Sequence, residues 1–141
     1  VLNMNLEEAA ILTGKKKLPD IFKFLHSDSL VCLITDGTNG ATVYRDGWMA
    51  HAATTGVKSI SRTGAGDAFG SGFVAGLIRN LPPSQDGTQD GLPIEDALKE
   101  ALRIGMVNAE SVILKYGAKN GILSDWPSAL KKRKVKITVL S

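Results

Sequence analysis

The sequence predicts an α/β fold: a mainly parallel sheet with helices on both faces and one short antiparallel hairpin. Three observations lead there. Segments with helical apolar spacing alternate with short strand-like runs along the chain. One of those runs, Leu30-Val31-Cys32-Leu33-Ile34-Thr35, is apolar until its last residue, as a strand buried on both faces must be. Arg45-Asp46-Gly47 joins two further runs, and Asp-Gly is a hairpin signal. The 141 residues, 43% apolar and 22% charged, fit one soluble globular domain over residues 1–141.

Taken in order, Val1-Leu2-Asn3 reads as the tail of a strand, because a turn and a helix follow at once. The expectation is a fragment or processed product that starts where a parallel sheet is already under way. Asn5 can cap a short helix with Glu8 as its capping-box partner, and Gly14 ends it. Lys15-Lys16-Lys17 reads as a solvated loop, and Leu18 to His26 has amphipathic helical spacing. The strand Leu30–Thr35 runs into an Asp36–Gly40 turn, followed by strands over Ala41–Tyr44 and Trp48–Ala52. A helix is predicted from Gly64 to about Asn80. Its several glycines each cost about 1 kcal/mol against alanine, which argues for close backbone packing. Pro82 to Pro93 reads as a surface connection, Ile94 to about Tyr116 as a long helix ended by Gly117, and Val135–Leu140 as a terminal edge strand.

Bulk properties narrow the function. A net charge of +3 suits a polyanionic small molecule and is too weak to argue for nucleic acid. Cys32 is the sole cysteine, so no disulfide forms within the chain, in keeping with a reducing, cytoplasmic setting. No apolar run approaches the roughly 20 residues that span a bilayer, so no membrane partner is expected. His26 and His51 stand without metal-ligand spacing, Lys131–Lys134 reads as a solvated face, and the Gly-x-x-x-x-Gly-Lys-Ser/Thr phosphate loop is absent.

The strongest chemical signal is Gly64-Ala65-Gly66-Asp67 at the head of a small-residue helix. Backbone N–H groups at a helix N-terminus hold anions, and a neighbouring carboxylate can take a proton from an attacking hydroxyl. The amides of Gly64, Ala65 and Gly66 would hold a transferring phosphate, with Asp67 as general base. The bland alternative is a tight loop into a helix whose dipole Asp67 merely favours. Glu8 could stand near a phosphate-bound Mg²⁺, directly or through water, although a plain helix start explains Asn5-Leu6-Glu7-Glu8 better in isolation. Thr35, Gly37 and Gly40 could border a ligand, or simply turn the chain. Asn108 lies on or beside the apolar stripe of the long helix and needs a partner, either a nucleotide base or a nearby loop.

Together these elements resemble the ribokinase-like, or PfkB, family of carbohydrate and nucleoside kinases. Thr63-Gly64-Ala65-Gly66-Asp67-Ala68-Phe69 is similar to the family's second signature, Asn5-x-x-Glu8 to its magnesium motif, and Thr35-x-Gly37-x-x-Gly40 to its nucleotide loop. The three occur in the family's order, and the likeness runs from Asn5 to about Gly121. The resemblance implies an ATP- and Mg²⁺-dependent kinase in which Asp67 is the catalytic base and Gly64, Ala65 and Gly66 form the anion hole. It also implies that Asn5 and Glu8 organise metal and phosphates, that Thr35 and Gly37 line the phosphate and ribose side, and that Asn108 borders the adenine. The acceptor would be a sugar or nucleoside. Two departures stand out. Ser61-Arg62 replaces the usual Asp-Thr, a region that helps hold a monovalent cation in many members, and Arg62 could reach a phosphate instead. Family members are also about twice this length, and nothing here resembles their amino-terminal half with its sugar contacts and lid. The chain therefore reads as the carboxy-terminal, nucleotide-binding and catalytic part of such a kinase, or as a nucleotide-binding module without activity. A third, blander possibility is a folded remnant that only assembles with partners, an exposed sheet edge giving a route to a possible homodimer.

Overall fold

A computed structural model describes residues 1–81 and 91–140 of the chain. Its elements run β1 (Leu2–Asn5), α1 (Leu6–Thr13), α2 (Leu18–Leu25), β2 (Cys32–Thr35), β3 (Ala41–Arg45), β4 (Trp48–Ala52), α3 (Ala65–Asn80), α4 (Ile94–Ile113), α5 (Trp126–Lys132) and β5 (Ile137–Leu140). The Pro82–Pro93 connection falls mainly on residues outside this description.

The five strands form one sheet in the order β1-β2-β3-β4-β5. This corrects the expected strand direction. Only β1 and β2 run parallel, with Leu2 opposite Cys32 and Asn5 opposite Thr35, whereas β2–β3, β3–β4 and β4–β5 are antiparallel. The reason is local. The chain reverses twice through short turns, at Asp36–Gly40 and at Asp46-Gly47, and short turns can join only antiparallel neighbours. The sheet is therefore mixed, inside an α/β architecture that otherwise matches the prediction.

Alternation along the strands divides the core in two. Val31 and Leu33 face one side with Val43 and Ala50, packed against Phe69, Phe73, Leu98 and Leu102 of α3 and α4. Cys32 and Ile34 face the other, against Ala9 of α1 and Ile21 and Phe22 of α2. Phe22 stacks on Tyr44, ring centres 5.0 Å apart. Helices thus cover both faces, and the continuous apolar character of β2 follows from serving both layers. Burial pushes the Cys32 thiol pKa up.

Local signals explain several boundaries. Asn5 caps α1 in a full capping box: its side-chain oxygen accepts from the Glu8 N–H at 2.8 Å, while Glu8 Oε2 accepts from the Asn5 N–H at 2.9 Å. Asp46 and Gly47, at φ 48° and 85°, make a tight two-residue reversal between paired Arg45 and Trp48. The α4 helix ends at Ile113, a few residues before the expected Tyr116. One helix escaped the sequence pattern: α5 is capped by Asp125, whose carboxylate accepts from the Ser128 N–H. Bonding to Ser128 through its side chain, and then its backbone, holds the Asp125 carboxyl below the ordinary carboxylate range. No helix among the described residues is long and apolar enough to cross a membrane.

Candidate active site

The carboxyl ends of the parallel pair, β1 at Asn5 and β2 at Thr35, open onto a cavity of about 640 Å³, within the roughly 300–1,000 Å³ usual for small-ligand pockets. Ligands in open α/β sheets bind beyond these strand ends. Asn5, Thr35, Gly37, Gly40, Ala65 and Gly66 all line it. Six of the predicted site residues therefore meet in one place, from segments 60 positions apart in the chain.

The Thr35–Gly40 loop is closed by its own bonds. Asp36 N–H donates to Gly40 C=O at 2.8 Å, and Asn39 N–H to Asp36 C=O at 2.8 Å. Gly40 has φ 101°, and a Cβ there would run into the Ala52 carbonyl oxygen, so only glycine fits against the end of β4.

On the opposite wall, α3 begins after Gly64, at φ 81°, where a Cβ would come within 2.6 Å of the Ala118 side chain. Instead of following directly on a strand, this turn comes after an irregular stretch beyond β4. Of the amides expected to hold an anion, Ala65 N–H already reaches Arg62 C=O at 3.3 Å, a long bond. The Gly64 and Gly66 N–H groups have no hydrogen-bond acceptor among the described residues. Asn3 Nδ2 donates to the Gly66 carbonyl at 3.4 Å, tying β1 to the first turn of α3.

Four predicted residues stand off the cavity wall. Gly64 forms the turn beneath it. Asp67 is exposed in the first turn of α3, next to the lining residue Gly66, and has no hydrogen-bond or ion-pair partner among the described residues. Glu8 is exposed and committed through Oε2 to the capping box. Asn108 is 3% exposed with both ends of its amide engaged: Nδ2 donates to Ala68 C=O at 2.7 Å, and Oδ1 accepts from Leu123 N–H at 2.9 Å. It joins α4 to the first turn of α3 and to the segment before α5, the helix-to-loop alternative of the two weighed.

The cavity also has residues that the sequence reading passed over. Met106, Ala109 and Ile113 of α4 supply an apolar side. Lys58 lines it as a cation beside Arg62, which the sequence reading had already singled out, and neither has a carboxylate within ion-pairing distance among the described residues. Glu110, 2% exposed, lines it as well. Its signal in the sequence is faint: one carboxylate in the mostly apolar Gly105–Ile113 stretch, beside Asn108 and Ser111.

Comparison with known proteins fits this geometry. The description of a pfkB family carbohydrate kinase matches residues 1–124. The chain belongs to that family. It is 32% identical over 117 residues to the cytidine kinase of Thermococcus kodakarensis, covering 80% of this chain and 36% of the relative. The fold recurs in the fructokinase of Vibrio cholerae O395 bound to fructose, ADP and calcium, with a TM-score of 0.64, 24% identity, and 83% and 35% of the two chains covered. It recurs again in an E. coli protein in complex with ATP and Mg²⁺, with a TM-score of 0.68, 20% identity, and 92% and 38% covered. The pfkB chain described here thus spans a little over a third of the length of these relatives.

Proposed function

We propose that the chain is the nucleotide-binding and catalytic portion of an ATP-dependent phosphotransferase, moving the γ-phosphate of MgATP to a hydroxyl of a sugar or nucleoside. The observation that carries this reading is Gly66, which lines the cavity at the positive end of the 16-residue α3 helix and whose N–H has no acceptor among the described residues. An outer phosphate would lie there, with Gly64 holding the turn and Lys58 and Arg62 adding positive charge. The triphosphate and ribose would follow Asn5, Thr35, Gly37 and Gly40, and the base would rest on Met106, Ala109 and Ile113.

In this reading Asp67 accepts the proton of the acceptor hydroxyl as its oxygen bonds to the γ-phosphorus. The bond from that phosphorus to the β–γ bridging oxygen breaks, and ADP leaves. The Gly66 amide stabilises charge growing on the transferring group. An Asp67 that faces solvent suits a base whose partner is a diffusing alcohol. For Mg²⁺ the donors present are few: no group of three His, Cys, Asp or Glu side chains among the described residues could hold a metal. That fits an ion bound chiefly through nucleotide phosphates, with Glu8 lending its second carboxylate oxygen directly or through water. Asn108 would act beneath the site, setting the first turn of α3 against α4.

The test is calorimetry with MgATP on the chain, together with an ATP-consumption screen over sugars and nucleosides. Saturable binding with consumption in the presence of one acceptor is the expected result, and absence of nucleotide binding would refute the reading. A second reading is a nucleotide-binding module without catalysis. Binding without consumption for any acceptor would select it.

A further inference from the structure

Between β4 and α3 the chain runs along the cavity without regular secondary structure, from Ala53 to Arg62. Gly56, Val57, Lys58 and Ser59 of this strap line the cavity. An irregular segment needs something to fix it, and here the fixtures are few. At one end Ala53 N–H donates to Lys136 C=O at 3.0 Å, and Thr54 Oγ1 donates to Thr38 C=O at 3.1 Å. At the other, Ile60 and Ser61 N–H groups both donate to Ile113 C=O, at 2.7 and 3.2 Å. The remaining tether is Glu110. Its Oε1 accepts from the Thr55 N–H and its Oε2 from the Thr55 hydroxyl, both at 2.6 Å.

Glu110 and Ile113 lie one turn apart on α4, so a single stretch of that helix grips the strap on either side of the Gly56–Ser59 lining stretch. A carboxylate on the wall of a cavity meant for a polyanion is a liability unless its charge is occupied. Here both oxygens are turned onto donors of one residue, as charge-assisted bonds shorter than the neutral average. We infer that Glu110 is a positioning residue: it fixes the Thr55–Ser59 strap as the cavity wall and so holds Lys58 beside the nucleotide phosphates. The inference rests on the nucleotide reading above for its ligand, and on geometry alone for the strap.

The two possible effects of Glu110 on an anionic ligand have opposite signs. Were it merely a charge on the wall, Glu110→Ala would tighten ATP and ADP binding. As a positioning residue, Glu110→Ala weakens both by about tenfold or more, since a wall is lost with two bonds to a charged group. Glu110→Gln recovers most of that loss, because its amide can accept from the Thr55 N–H and donate to the Thr55 hydroxyl. Thr55→Val, which keeps the N–H and deletes the hydroxyl, falls between them. Amide hydrogen exchange supplies a readout free of nucleotide: Glu110→Ala speeds exchange at Thr55, Ile60 and Ser61 while leaving the α1 and α2 amides slow. That contrast also separates a loosened strap from a chain that has failed to fold. Unchanged or tighter ADP binding by Glu110→Ala would overturn the inference, as would unchanged exchange at Thr55. No ADP binding by the wild-type chain would remove the nucleotide reading instead, and the exchange comparison would still decide whether Glu110 holds the strap.

Discussion

Asp67 and Cys32 show how differently two ionisable side chains can be used. Asp67 lies in the open, in the first turn of α3, with no hydrogen-bond or ion-pair partner among the described residues. On the proposed phosphotransfer reading, Asp67→Asn is expected to lower turnover by about 10²–10⁴-fold, the usual worth of a general base, with ATP affinity little changed. Steady-state kinetics beside calorimetry check both halves, and near-normal turnover would remove Asp67 from the mechanism. Cys32 is 1% exposed, its thiol held neutral by burial. Its raised pKa means the folded chain keeps a proton that the unfolded chain releases. Stability from this group is therefore full below the ordinary thiol pKa of about 8.5 and is lost as pH rises through the folded value. Alkylation with iodoacetamide at pH 7.5 should be slow and should accelerate only on unfolding, whereas Cys32→Ser should flatten the alkaline loss of stability.

Among the elements, α3 and α4 both line the cavity, and their approach depends on the absence of side chains. A Cβ at Gly72 would sit 3.0 Å from Asn108 Cβ and 3.1 Å from Gly105 Cα, and one at Gly76 would sit 3.0 Å from Ala101 Cα. Gly72→Val should cost about 1–3 kcal/mol through overpacking. Because the same displacement drags on Asn108, whose amide holds Ala68, it should weaken nucleotide binding too. Urea denaturation and calorimetry on one variant test both effects. The glycine pattern already argued for this closeness, as the apolar β2 run argued for its double burial and Asn5 with Glu8 for a capped α1. Other features were beyond such signals. Strand direction depends on which runs become neighbours, and a continuous apolar strand looks alike in parallel and mixed sheets. The α5 helix is seven residues with no buried member, so no apolar period marks it, although Asp125-Trp126-Pro127 is a cap followed by an early proline. Asn108 was recognisable as an amide in need of partners, but both partners come from elsewhere in the chain. Glu110 escaped because its donor, Thr55, lies 55 residues away.

For the molecule as a whole, the mixed sheet sets two helical layers on opposite faces, and the cavity opens at the carboxyl end of its single parallel pair. Both the α3–α4 layer and the sheet contribute walls, so neither layer alone encloses a ligand. The segments around Asn5, Thr35 and Gly66 converge here although the chain spans a little over a third of its relatives' length.

That convergence has a thermodynamic corollary. The cavity draws on Asn5 near one end of the sequence and Ile113 near the other, and no half-folded intermediate can assemble it. A nucleotide would then be a ligand of the native state alone, and ADP at about 100 times its dissociation constant should add about 2.7 kcal/mol to the unfolding free energy. Melting followed by tryptophan fluorescence should shift upward with ADP concentration as a single transition. A shift confined to one of two resolved transitions would mean that part of the chain recognises nucleotide without the rest.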